Sequence, residues 1–129
     1  MNKRHNPATV AAPIGTYSHG IEVPAGARWL HVAGEVGMAR DGSVPDGIEA
    51  QSDQAWRNVV AVLESAGMGV EHLVHVNHWL VKEDHFAAYA KVRAKYLGDA
   101  RPASTLMIVK ALARPEFLVE VGGVAAKAD

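Results

Sequence analysis

The sequence predicts a single α+β domain: one mixed sheet with two helices packed on one of its faces. Three observations lead there. The chain has 129 residues, the size of one ordinary domain, so residues 1–129 form one unit with a core over about 12–126. Hydrophobic residues make up 49% of it, enough for a buried core rather than a disordered tail. Apolar residues recur at helical spacing in two stretches, and β-branched runs fill the rest, in the order β-β-α-β-α-β-β.

The elements follow from local chemistry. Residues 20–23 make a short strand, Pro24-Ala25-Gly26 a turn, and residues 28–36 a second strand. So short a Pro/Gly link favours an antiparallel hairpin. Asp41-Gly42-Ser43 and Pro45-Asp46-Gly47 mark an exposed loop. Ile48, Ser52, Ala55, Val59, Val62, Leu63 and Ala66 recur on one face, so 48–66 is an amphipathic helix stopped by Gly67. The β-branched run over 73–81 reads as a strand. Glu83 or Asp84 caps a second helix over 85–97, ended by Gly98. Strands over 104–112 and 117–126 flank the turn Arg114-Pro115-Glu116. Leu106, Met107, Ile108 and Val109 are consecutive and apolar, so both faces of that strand want burial. Two helices cover one face only. The second face is expected to pack on other copies in a closed homo-oligomer, with an apolar binding groove on a monomer as the alternative.

Charge and composition narrow the function. Lys plus Arg is 13 and Asp plus Glu is 14, a net charge of −1, which makes a dedicated nucleic-acid binder unlikely on electrostatic grounds. There is no cysteine, hence no disulfide, thiolate nucleophile or Cys-ligated zinc. No apolar run has the length of a signal h-region or a membrane span, so the expected setting is the cytoplasm without membrane attachment.

Glu120 is the most informative residue. Strand alternation puts it on one face with Leu118, Gly122 and Val124, and a carboxylate among apolar and small neighbours suits general acid/base work. Gly122 leaves room beside it. An edge carboxylate paired with a structural arginine is the alternative. Arg101, at the mouth of a buried strand, can grip a carboxylate, and Arg114 shares that possibility to a lesser degree. His72, His75 and His78 recur every third residue, but a strand sends His75 and His78 to opposite faces, so no metal site is expected. His78 reads as a hydrogen-bonded core histidine, with proton carrier as the alternative. Ser18, Ser104 and Thr105 have no evident base in the sequence, so no hydroxyl nucleophile is expected. Tyr17, in a loop between glycines, either lends a phenol to a pocket or packs there.

Several segments then combine into a pattern. Ala12-Pro13-Ile14-Gly15-Thr16-Tyr17-Ser18 resembles the "API-G-x-Y-S" opening of the RidA/YjgF family, also called L-PSP endoribonucleases. Val32-Ala33-Gly34-Glu35-Val36 resembles its "V-S-G-Q-I" strand. The helix from Gln54 to Gly67, with Asn58, Leu63-Glu64 and Ala66-Gly67, is similar to its first helix, and Phe86-Ala87 to Tyr96 to its second. Arg101-Pro102-Ala103-Ser104-Thr105 and Leu118-Val119-Glu120-Val121 resemble its closing strands, so the likeness runs over about 12–126. The resemblance implies a chorismate-mutase-like fold, a homotrimer, and a small-molecule ligand in the cleft between subunits. It implies hydrolysis of reactive enamines or imines to 2-oxo acids and ammonia without a cofactor. Glu120 matches the family's water-positioning Glu, Tyr17 and Gly34 its pocket residues, and Thr105 another pocket position. Two positions depart from the pattern. The family's motif reads P-A-R-S-T, and Ala103 stands where it has arginine, with Arg101 ahead of the proline; Ala33 replaces the usual Ser. A pocket that keeps Glu120 and loses the clamp should prefer a different ligand, with Arg101 or Arg114 as the anion partner. A non-catalytic ligand-binding or chaperone-like member is the second reading, and a ribonuclease the third.

Overall fold

The computed structural model describes residues 1–129. Its elements are β1 (Lys3–His5), β2 (Gly20–Glu22), β3 (Arg28–Val36), α1 (Ile48–Ser65), β4 (Leu73–Leu80), α2 (Phe86–Leu97), β5 (Ala103–Ile108) and β6 (Val119–Lys127). The main sheet has the order β3-β6-β4-β5, antiparallel except for the parallel β4–β5 pair. That pair is joined through α2, as a parallel crossover requires. The α+β class with two helices on one face is as expected.

The expected hairpin does not form. Residues 20–22 pair with Lys3–His5 in a separate two-stranded sheet, and β3 pairs with β6 from the far end of the chain. The turn at Pro24-Ala25-Gly26 therefore passes the chain between two sheets instead of folding it back. The strand at 3–5 escapes a hydropathy reading because all three of its residues are exposed. The strand expected over 104–112 is Ala103–Ile108, because the chain leaves the ladder before Lys110-Ala111-Leu112. The helix α2 starts without a side-chain cap: a single 3₁₀ turn at Glu83–His85 leads into it, so neither Glu83 nor Asp84 caps it as expected.

α1 buries Ser52, Ala55, Trp56, Val59 and Leu63, an i, i+3/i+4 stripe laid on Val119, Val121 and Ala125 of β6 and Val32 of β3. Val59 and Leu63 each contribute roughly 1.5–3 kcal/mol by leaving water. Trp56 is the hub, fully buried and stacked on Tyr96 with ring centres 6.1 Å apart. Two amides of α1 fix the strands that carry the site. Gln51 Nε2 donates to Glu116 O at 2.8 Å and its Oε1 accepts from Leu118 N at 2.9 Å, pinning the entry to β6. Asn58 Nδ2 donates to Val36 O and Met38 O, pinning the exit of β3. The helices leave the other face of the sheet uncovered. No helix is long and apolar enough to cross a membrane.

Candidate functional site

Glu120 lies on the uncovered face, beside Gly122 and opposite Trp79 of β4 and Val36 of β3. The alternation expected for it is observed, since its neighbours Val119 and Val121 are fully buried under the helices. A β-bulge interrupts β3 between Val32 and Glu35, where Ala33 and Gly34 sit. The bulge brings Gly34 against β6 so closely that a Cβ there would collide with the Glu120 carboxylate. A Cβ on Gly122 would stand 3.1 Å from the Gly34 backbone. Two glycines thus let β3 and β6 close up and lay the carboxylate flat along the strand.

Glu35, just past the bulge, pairs with Val121 rather than with Glu120, and no pattern in the sequence singles it out. Burial, and after it the charge of Glu120, pushes its carboxyl up from the ordinary value.

Thr105 and Ala103 occupy the same uncovered face, two strands from Glu120. Thr105 Oγ1 lies 3.3 Å from His75 Nε2, and Ala103 is in register with His75. Only a methyl group therefore stands at the position of the family's arginine. Arg101 turns away: its Nη1 donates to Gly98 O at 2.8 Å and Ala100 O at 2.7 Å, closing off the carbonyl end of α2. Arg114 Nε donates to Glu116 Oε1 at 2.8 Å, and its guanidinium lies 4.7 Å from the Phe117 ring centre. Each guanidinium thus has partners close to it in the chain.

Tyr17 is on the other side of β5. Its hydroxyl accepts from Ile14 N at 3.3 Å. With Ile14 it forms one wall of a groove of about 560 Å³; Phe86 and Arg93 of α2 form the second, and Ser104 and Leu106 of β5 the floor. Glu120 does not line it. Within one chain, the candidate residues divide between the uncovered sheet face, this groove and the end of α2.

The three histidines of 72–78 diverge. His72 Nδ1 accepts from Gly69 N, His75 sits by Asn77 and Thr105, and His78 is 1% exposed in the core. His78 is held on both sides, by Tyr89 through Nδ1 and by Ser104 Oγ through Nε2 at 2.9 Å. Burial, then the charges of Arg93 and His75, lowers its pKa to about 3, so it is neutral near pH 7. Ser104 has no evident base in the sequence, and the fold gives it a histidine partner.

Known proteins resemble the chain throughout. The model of the family described as Endoribonuclease L-PSP matches residues 8–127. The chain belongs to the RidA/YjgF, or L-PSP endoribonuclease-like, family. A RutC family protein of Pyrococcus horikoshii is 31% identical over 117 residues, covering 89% of this chain and 90% of that protein. A Rid family protein of unknown function from Yersinia pestis has the same fold with a TM-score of 0.87, 31% identity and 98% of each chain covered. RidA from an Antarctic Psychrobacter superposes with a TM-score of 0.72 at 27% identity, covering 88% of this chain and 90% of its own. The RidA/YjgF fold is thereby established, and the bulge at Gly34 facing Glu120 is the feature of this member on which a function can be built.

Proposed function

We propose that this protein is a RidA-like hydrolase of a small enamine, imine or related C–N compound, acting in a cleft between copies of a cytoplasmic homotrimer without a cofactor. The Glu120 carboxylate laid along Gly34 on an uncovered sheet face carries this reading. The face has partly buried Trp79 and Met107 beside the polar Asn77 and Thr105, a surface suited to packing on another copy while leaving a polar seam. Tyr17 and Glu120 lie in different places on one chain, so a cleft holding both takes one from each of two copies.

In such a cleft Glu120 accepts a proton from water as the oxygen bonds to the carbon of the C=N group. The nitrogen takes up a proton, the C–N bond breaks, ammonia leaves, and a carbonyl remains. Glu120 passes the proton it took from water on to the nitrogen, so the step balances without a second acid.

The test couples the purified protein to a dehydratase that generates 2-aminoacrylate and follows ammonia. Acceleration over buffer is expected, falling by about 100-fold or more in Glu120→Gln. No acceleration, or an unchanged rate in the variant, overturns the reading. Light scattering at micromolar concentration should give three times the 13.8 kDa chain mass; a monomer would refute the shared cleft.

One observation favours a second reading, a non-catalytic ligand-binding member: Ala103 gives no clamp, and Arg101 is committed to the carbonyls of Gly98 and Ala100 just past α2. Tight binding with no turnover would select it. A net charge of −1 supplies little of the electrostatic attraction on which RNA binding depends, so a ribonuclease role has the least support.

A further inference from the structure

We infer that Arg93, together with the hydroxyl of Ser104, forms the carboxylate-binding end of the groove between α2, β5 and the loop of Tyr17. Arg93 would then take over the anion recognition that Ala103 cannot provide. The proposed function suggests the class of ligand; the site itself rests on three observations independent of it.

The first is the state of Arg93. It is partly buried, no carboxylate lies within ion-pair distance, and its Nε is shielded from solvent without a hydrogen-bond partner in the chain. The arginines that form ion pairs are Arg28, Arg57 and Arg114 instead. Its guanidinium is steadied by aromatic faces, 5.7 Å from the Phe86 ring centre and 5.9 Å from that of Tyr89. An arginine held in place, with donors left over, is suited to a planar anion. Burial lowers its pKa from the usual value, a cost that a bound carboxylate would offset.

The second is the direction of a buried hydrogen-bond chain. Trp56 Nε1 can only donate, and it donates to Tyr89 Oη at 3.3 Å. The Tyr89 proton then has one partner, His78 Nδ1. His78 is neutral, so its single proton is on Nε2 and is donated to Ser104 Oγ. Ser104 is therefore an acceptor from His78, and its own proton is free to be donated into the groove. The histidine orients this hydroxyl as a donor; it does not act as a base that would make it a nucleophile.

The third is the rest of the lining. Ile14, Phe86 and Leu106 are apolar, and the Tyr17 hydroxyl, already accepting from Ile14 N, keeps its proton for a ligand. Donors at one end and apolar walls elsewhere fit a small monocarboxylate with a short hydrocarbon portion.

The test uses the full chain in NMR titrations with 2-oxobutanoate and with its neutral amide, 2-oxobutanamide. Wild type should bind the acid about tenfold or more tightly than the amide, and Arg93→Met should erase that preference. Arg93→Lys should retain part of it, Ser104→Ala should weaken acid binding by about three- to tenfold, and Arg57→Met should match wild type. Should Arg93→Met fail to fold by its amide spectrum, Arg93→Lys and Ser104→Ala decide. The inference is overturned by wild type that binds neither probe or both equally, by an Arg93→Met protein that keeps the preference, or by loss of the preference in Arg101→Met. The ammonia assay separates this result from the hydrolase reading. Arg93-dependent binding without turnover refutes the hydrolase and keeps the site, and turnover unaffected by Arg93→Met does the reverse.

Discussion

The two faces of the main sheet use the same strands and solve different problems. On the helix-covered face, Val76, Leu80, Val119 and Val121 lie beneath α1 and α2, and His78, the charge-capable residue among them, is satisfied on both ring nitrogens. On the uncovered face the alternate residues of the same strands are Asn77, Trp79, Glu120 and Gly122. The first face satisfies its histidine within the core. The second keeps a carboxylate and two glycines where nothing from the same chain covers them. A fold stabilised from one side can thus hold reactive groups rigidly on the other.

The contrast yields predictions of decreasing size. Trp56→Ala removes the hub of the covered face and the first donor of the Trp56–Tyr89–His78 chain. It should cost about 3–5 kcal/mol in denaturant unfolding, and a loss below about 1 kcal/mol would deny that this face carries the stability. Acid should act on the same face. The folded pKa of His78, about 3, lies below the unfolded value near 6.5, so the unfolded chain binds the extra proton between them. Stability is full above pH 6.5 and should fall by about 1.4 kcal/mol per unit as pH drops towards 5, a slope absent in His78→Gln. Measuring between pH 5 and 6.5 avoids Asp53 and Glu22, whose lowered carboxyl values act at lower pH in the same direction. The uncovered face should show the opposite balance. Gly34→Ala has only the movable end of Glu120 in its way, so it should change stability by about 1 kcal/mol or less while lowering ammonia release by about tenfold. Equal damage to stability would mean that the close approach at Gly34 is structural.

What could be read from the sequence follows the same division. The stripe of α1, the alternation around Glu120 and the core position of His78 are local patterns, and the structure reproduces them. The partner of β3 could not be read, because strand pairing between residues 28–36 and 119–127 leaves no mark within either segment. The Pro/Gly turn favoured the nearer and incorrect choice. Arg93 looked like any polar residue of an amphipathic helix. Phe86, Ala90 and Arg93, spaced i, i+4 and i+7, were the available clue that one stripe of α2 lines a groove. Glu35 was hidden for another reason: its environment depends on the bulge at Gly34, which the sequence alone does not announce.

The order β3-β6-β4-β5 has a consequence for how the molecule is made. β6 follows β3, β4 and β5 in the chain, yet it lies between β3 and β4 and hydrogen-bonds to both. Until residues 119–127 leave the ribosome, β3 and β4 each present an unpaired edge, and α1 has no floor on which to rest Trp56. Glu120 and the strand that locks the sheet arrive together. The sheet therefore stays open until β6 is made, and its completion coincides with delivery of the proposed catalytic carboxylate.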